Sequence, residues 1–215
     1  MMHTRLFERK RLVGLLMLIG SLIALSVITI WVVFNYQKYW PTPHQAELVQ
    51  QLNADLYAGS DPTEQSRRII DKVNVHKSKR YLELLSHGQV MQRYPIRLGF
   101  APTGHKLTEG DGKTPEGIYT LDWRNPNSQF YRSLHVSYPN QQDQANATMQ
   151  GVKAGSNIMI HGSFPVRGKW LESGKPFYQY MPQQDWTLGC IAVTNAAMDD
   201  IWARVKNGTP IEIMP

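Results

Sequence analysis

Two side chains in this sequence have the types and settings to carry covalent chemistry: its only cysteine, Cys190, and the histidine His161 upstream of it. Cys190 lies in DWTLGCIAVTN (185–195), directly after Gly189, and opens the apolar run Ile-Ala-Val. A thiol at such a loop-to-strand junction sits on a fixed backbone and can face a cleft. Gly189 lets a substrate approach, and the backbone N–H groups of Gly189 and Cys190 could stabilise an oxyanion. A thiol attacks as its thiolate, so it needs a base or a cationic neighbour. Of the seven histidines, His161 is best placed: it ends the apolar run NIMI and precedes Gly162, which opens space beside the ring. His105 lies in the loop TGHKLTEG and, with Lys106, is a candidate for the cleft's border. Histidines at strand ends also serve structure, and a lone cysteine also serves as a small core residue. Residue types alone leave the inert and the catalytic readings open.

The compartment sharpens the choice. Residues 12–34, LVGLLMLIGSLIALSVITIWVVF, contain no charged residue. At about 1.5 Å per residue they would reach roughly 35 Å, enough for a hydrocarbon core of about 30 Å. A cleaved signal has a shorter apolar run, about 7–15 residues, ending in small side chains. This one ends in Trp31, Val32, Val33 and Phe34, so a permanent anchor is expected. Arg5, Arg9, Lys10 and Arg11 precede the run and only Lys38 closely follows it, which favours a cytoplasmic N-terminus and export of everything after residue 35. Tyr36, Tyr39 and Trp40 fit an interfacial aromatic belt. One cysteine makes no internal disulfide, so an exported lone thiol implies deep burial or a use for the sulfur.

The formal net charge of +6 is concentrated in the first 40 residues, which hold five basic residues and one acid; the remainder is at +2. Nucleic-acid binding therefore gains no support. His, Cys, Asp and Glu show no metal-ligand spacing, and neither a metal nor another cofactor is expected.

The elements that must position Cys190 and His161 are short strands. After the basic tail (1–11) and the anchor (12–34), residues 35–71 read as a helical stalk, with Leu48, Leu52 and Leu56 four apart and a stop at Gly59. From 72 to 215 come the β-like segments KVNV, YLELL, QVMQRYPIRLGF, GIYTLDW, YRSLHVSY, NIMIHG, CIAV and PIEIM. SHG between the second and third reads as a hairpin turn. Short helices are expected around 140–150 and from an N-cap at Asn195, the second with Ile201, Trp202 and Val205 on its apolar face. No long helix alternates with the strands, so a mainly β domain of packed sheets, a β-sandwich of mixed sheets, is predicted rather than a doubly wound one.

IMIHG (158–162) followed by TLGCIAV (187–193) resembles the paired signature of the YkuD-type L,D-transpeptidases: His-Gly at a strand end, then Ser or Thr, any residue, Gly and Cys. GDGKTPEGIY (110–119) and the opening strands from Lys72 are similar to further family segments, so the resemblance runs from 73 to 213. It implies a YkuD-like fold, Cys190 as nucleophile, His161 as its base and proton donor, and Gly189 and Gly162 shaping the site. It also implies acyl transfer on peptidoglycan stem peptides through a thioester, with cross-linking or remodelling of the wall as outcome and a wall-linked protein as a further acceptor. The enzyme would then sit in the cell inner membrane by a single pass, its domain in the periplasm facing the wall.

Three features depart from the common pattern: Ala192 where many members have Arg, Leu188 between Thr187 and Gly189, and a long His-to-Cys interval. They leave the acyl acceptor open. A hydrolase of the carboxypeptidase or amidase type, passing the same thioester to water, is the close alternative, and a non-catalytic wall-binding module is the reading from another class. The long interval, SFPVRGKWLESGKPFYQYMPQQDW, carries Arg167, Lys169 and Trp186 among basic and aromatic side chains. It reads either as a lid meeting substrate carboxylates or as a packed loop. Thr187, Trp186, Arg167, Lys169 and His105 are the candidate substrate contacts. For GDGKTPEG the reading is a shaped turn, not a phosphate loop.

Overall fold

The computed structural model describes residues 14, 16–32, 45–57, 68–163 and 180–215. The chain forms two compact units, Met1–Trp40 and Pro41–Pro215. In the first, residues 16–32 are helical (α1), with Leu16, Ile23, Ile28 and Trp31 exposed. Among the described residues no helix is long and apolar enough to cross a membrane. Residues 12, 13, 15, 33 and 34 of the expected span lie outside them.

Among the described residues the second unit is built on one mixed sheet of eight strands. These are β1 (Lys72–His76), β2 (Tyr81–Ser86), β3 (Gln89–Pro95), β4 (Gly117–Ser128), β5 (Tyr131–Val136), β6 (Met159–Gly162), β7 (Ile191–Val193) and β8 (Thr209–Met214). Their order is β3-β2-β1-β8-β4-β5-β6-β7. Alternation explains them: in β1, Val73 and Val75 are fully buried between half-buried neighbours, and in β8 Ile211 and Ile213 do the same. The SHG turn is a two-residue hairpin, with φ of 53° at His87 and 76° at Gly88, the left-handed pair that matches strand twist.

The packed sheets expected from the strand pattern are instead a single sheet that curls almost closed. β3 and β7 are its first and last strands, yet Arg97, just past β3, exchanges both backbone bonds with Ala192 of β7, N to O at 2.9 and 2.8 Å. Gly99 and Thr187 form a second bridge.

Among the described residues four further helices accompany the sheet: α2 (Gln45–Leu52), α3 (Ala54–Tyr57), α4 (Gln141–Met149) and α5 (Asn195–Arg204). α4 opens on a capping box between Asn140 and Asp143. α5 packs on β5 and β6 through Ala197, Met198 and Ile201. Its N-cap is Thr194, whose hydroxyl accepts from Ala197 N, so the helix starts one residue earlier than an Asn195 cap implies. α2 and α3 fall where the sequence suggests a stalk, but they dock on the edge strand β3. Asn53, fully buried, donates to Arg93 O at 3.0 Å and accepts from Arg93 N at 2.7 Å, pairing as a strand would. The Arg93 side chain returns bonds to Leu52 O and Asp55.

Candidate active site

Cys190 ends a tight turn held by one side chain. The Thr187 hydroxyl donates to Cys190 O at 2.7 Å and accepts from Gly189 N at 3.1 Å, so two backbone groups of the turn meet on one oxygen. Gly189 has φ of 129°, and a Cβ there would stand 2.6 Å from Lys113 O. The GDGKTPEG loop is therefore the wall against which the turn closes. Its shape comes from Asp111, which accepts from the backbone N–H groups of Leu107, Thr108 and Lys113 and from Lys106 Nζ at 2.9 Å. Burial pushes the Asp111 carboxyl up, but Lys106 and the three N–H groups outweigh it and hold it at about 2.

The Cys190 thiol is half-buried and donates to Asn157 O at 3.5 Å. Burial pushes it up; the Met159 N–H and the charge of the nearby Lys106 oppose that without overcoming it. At neutral pH the sulfur is a thiol.

His161 is buried in β6, where it pairs with Ala192 of β7. Its Nδ1 lies 2.7 Å from Gly162 O. A carbonyl only accepts, so Nδ1 carries the proton and Nε2 keeps its lone pair. Burial draws the ring down to about 4, against the smaller opposing effect of the Gly162 bond, so it is neutral at pH 7. Phe130 and Trp186 enclose the ring at centroid distances of 5.1 and 5.7 Å. Among the described residues the buried Trp186 Nε1 has no hydrogen-bond partner. Gly162 admits no side chain, since a Cβ would come 2.3 Å from Asn195 Oδ1.

Register relates the two groups. Ile160 pairs with Ile191 and His161 with Ala192, so the pairing continued one step back sets Met159 beside Cys190. Laterally paired residues point to the same face and residues two apart share one. Thiol and imidazole are thus diagonal neighbours on one face, at the seam where the sheet closes.

The family model described as YkuD, L,D-transpeptidase catalytic domain, matches residues 70–213. The chain belongs to the YkuD family. YafK of Escherichia coli (strain K12) is 27% identical over 140 residues, covering 62% of this chain and 46% of YafK, so the chain spans about half the length of the curated relative it matches. The helical cell shape determining protein Pgp2 of Campylobacter jejuni is 24% identical with a TM-score of 0.48, over 71% of this chain and 53% of Pgp2. The L,D-transpeptidase of Xylanimonas cellulosilytica is 19% identical with a TM-score of 0.43, over 76% of this chain and 69% of that one.

Of the residues that the sequence singled out, this YkuD domain brings Cys190, Gly189, Thr187, Trp186, His161 and Gly162 together at the seam. Gly189 differs from expectation in one respect: its N–H is committed to Thr187. His105 has both ring nitrogens engaged, Nδ1 with Glu116 N at 2.9 Å and Nε2 with Asp143 at 3.1 Å, and ties its loop to α4 instead of offering a ligand contact. Arg167 and Lys169, with most of the expected lid, lie outside the described residues. The sequence reading did not pick out Arg97, whose strand segment runs along the same seam, or Asp111, whose loop it treated as a plain turn.

Proposed function

We propose that this YkuD domain is a cysteine L,D-transpeptidase acting on peptidoglycan stem peptides, held at the membrane by the apolar segment 12–34. The observation that carries the reading is the register that sets a turn-fixed thiol and a neutral imidazole on one face of the sheet, the imidazole Nε2 making no hydrogen bond among the described residues. Both groups are uncharged at rest, because burial disfavours the thiolate and the imidazolium alike. The proton therefore leaves sulfur for Nε2 as the S–C bond forms, rather than in a prior ion-pair step.

Attack on the carbonyl of the third stem residue gives a tetrahedral oxyanion. The N–H of Gly189 is held by Thr187, so the oxyanion falls to the Cys190 N–H, with the Trp186 indole N–H as a second donor. Collapse breaks the C–N bond, and the imidazolium returns its proton to the departing amine of the D-residue. The thioester then passes its acyl group to an amine on another stem or on a wall-linked protein, and His161 takes the proton of that amine.

The test is to incubate the full-length protein and its Cys190→Ala variant with purified peptidoglycan fragments, with and without an amine acceptor, and to read products by mass spectrometry. Cross-linked or D-amino-acid-exchanged products that vanish in the variant support transpeptidation. Shortened fragments alone would replace it with hydrolysis, and no Cys190-dependent product from folded protein would overturn the enzyme reading.

A further inference from the structure

Among the described residues Arg97, whose backbone bridges to β7 at the seam, makes no ion pair with a carboxylate. Arg97 donates through Nε to Pro182 O at 2.7 Å and through Nη1 to Ile96 O at 2.8 Å, both neutral carbonyls. Among the described residues its Nη2 makes no bond. The adjacent acid, Asp185, is already taken: Arg80 grips it through Nε at 3.0 Å and Nη2 at 2.8 Å, and Leu98 N–H donates to it at 2.8 Å. Two guanidinium groups thus face one carboxylate, and one positive charge is left over.

That surplus charge lines a cavity of about 460 Å³, walled also by Arg80, Asp185, Gln183, Gln184 and Phe100. Burial draws the Arg97 pKa down, and the charge of Arg80 adds to the effect while Asp185 opposes it. Arg97 is half-buried and makes no ion pair, and a carboxylate is the partner whose geometry fits its fork. Register relates Arg97, one wall of that cavity, to the catalytic pair. Arg97 pairs across the bridge with Ala192, and Ala192 pairs with His161, so Arg97, the imidazole and the thiol share one face of the sheet. Ala192, with only a methyl side chain, is the residue paired with both in this row.

We infer that this cavity is a carboxylate-binding site in which Arg97 holds a free carboxylate of the peptide whose acyl group passes to Cys190. The inference rests on the acyl-transfer reading above and adds to it the feature that the donor must present: a negative charge beside the scissile bond. Arg80 keeps Asp185 from occupying the site, and Gln183 and Gln184 supply uncharged amides at its mouth.

The test uses the full-length Cys190→Ala protein in a non-ionic detergent, titrated by calorimetry with a stem tetrapeptide and with analogues in which each carboxylate in turn is an amide. One analogue, either the C-terminal or a side-chain amide, is expected to bind roughly tenfold more weakly than the acid, as for loss of one charged hydrogen-bonded pair. Arg97→Gln should abolish that difference, and Arg97→Lys should keep part of it. Gln184→Glu, at an exposed position, should weaken the acid form without disturbing any buried group. Equal binding of acid and amides, no binding of any peptide, or an acid preference that survives Arg97→Gln would overturn the site. Turnover by the protein with Cys190 intact separates the two readings. Product formed without Cys190 sinks acyl transfer alone, whereas Cys190-dependent turnover with KM unchanged in Arg97→Gln sinks the carboxylate site alone.

Discussion

Replacing Thr187 by Val tests whether the turn is what holds the thiol in place. Valine keeps the branched shape but has no hydroxyl, so the bonds to Cys190 O (2.7 Å) and from Gly189 N (3.1 Å) are both lost. Thr187 and Gly189 are buried, so water replaces these partners poorly. A typical intramolecular bond contributes about 1 kcal/mol, and a stranded buried donor costs about 1–3 kcal/mol. Together these give a destabilisation of about 2–4 kcal/mol. The same change frees the backbone of Cys190, and a displacement of about 1 Å in a reacting atom can cost on the order of 100-fold in rate. Urea unfolding and steady-state turnover, on Thr187→Val beside Thr187→Ser, measure the two effects separately. Serine retains both bonds and should stay within about 1 kcal/mol of the parent, with most of its kcat. A valine variant with unchanged midpoint and kcat would show that the hydroxyl does not organise the turn, and the account of how Cys190 is positioned would be wrong.

Other expectations follow from the same geometry. Because His161 sits at about 4 and stays neutral above that, the acid limb of kcat/KM should fall near pH 4, not near the ordinary imidazole value; a limb near 6.5 would mean that the ring is solvated. The linked stability has a definite sign: the folded state resists protonation, so stability is full above about pH 6.5 and falls by about 3 kcal/mol towards pH 4. His161→Gln should flatten that portion of a urea-midpoint profile. Gly189→Ala combines φ of 129° with a Cβ 2.6 Å from Lys113 O and should cost about 3 kcal/mol or more, seen as a drop in Tm; an unchanged Tm would mean that the loop and turn are not in contact. Asn53→Ala removes both bonds to the Arg93 backbone and should cost about 2 kcal/mol, with faster hydrogen exchange at the Arg93 amide as its signature.

The strands were legible because each carries a local signal. Val73 and Val75 alternate with polar neighbours, and His87-Gly88 is a turn that few residue pairs can make. Cys190 and His161 stood out because their types are rare and their glycine neighbours informative. What stayed hidden depends on contacts distant in sequence. Closure of the sheet rests on isolated bridges, Arg97 to Ala192 and Gly99 to Thr187, which leave no periodic pattern. Arg97 looks like any strand arginine until Asp185 is seen to be occupied by Arg80. Asn53 carries no local signal, because its docking on β3 depends on a backbone forty residues away. The cap of α5 was off by one because Thr194 and Asn195 are both good caps, and only the fold selects between them.

The Asn53 amide and the Arg97 bridge share a consequence for how this protein behaves at high local concentration. An open sheet offers its outermost strands as templates on which a second chain can polymerise. Here Asn53 occupies the Arg93 donor and acceptor on β3, and the Arg97 segment occupies the rim of β7. Copies crowded together should therefore resist edge-to-edge aggregation, and the same Asn53→Ala change that loosens the helix should also leave the protein prone to self-association.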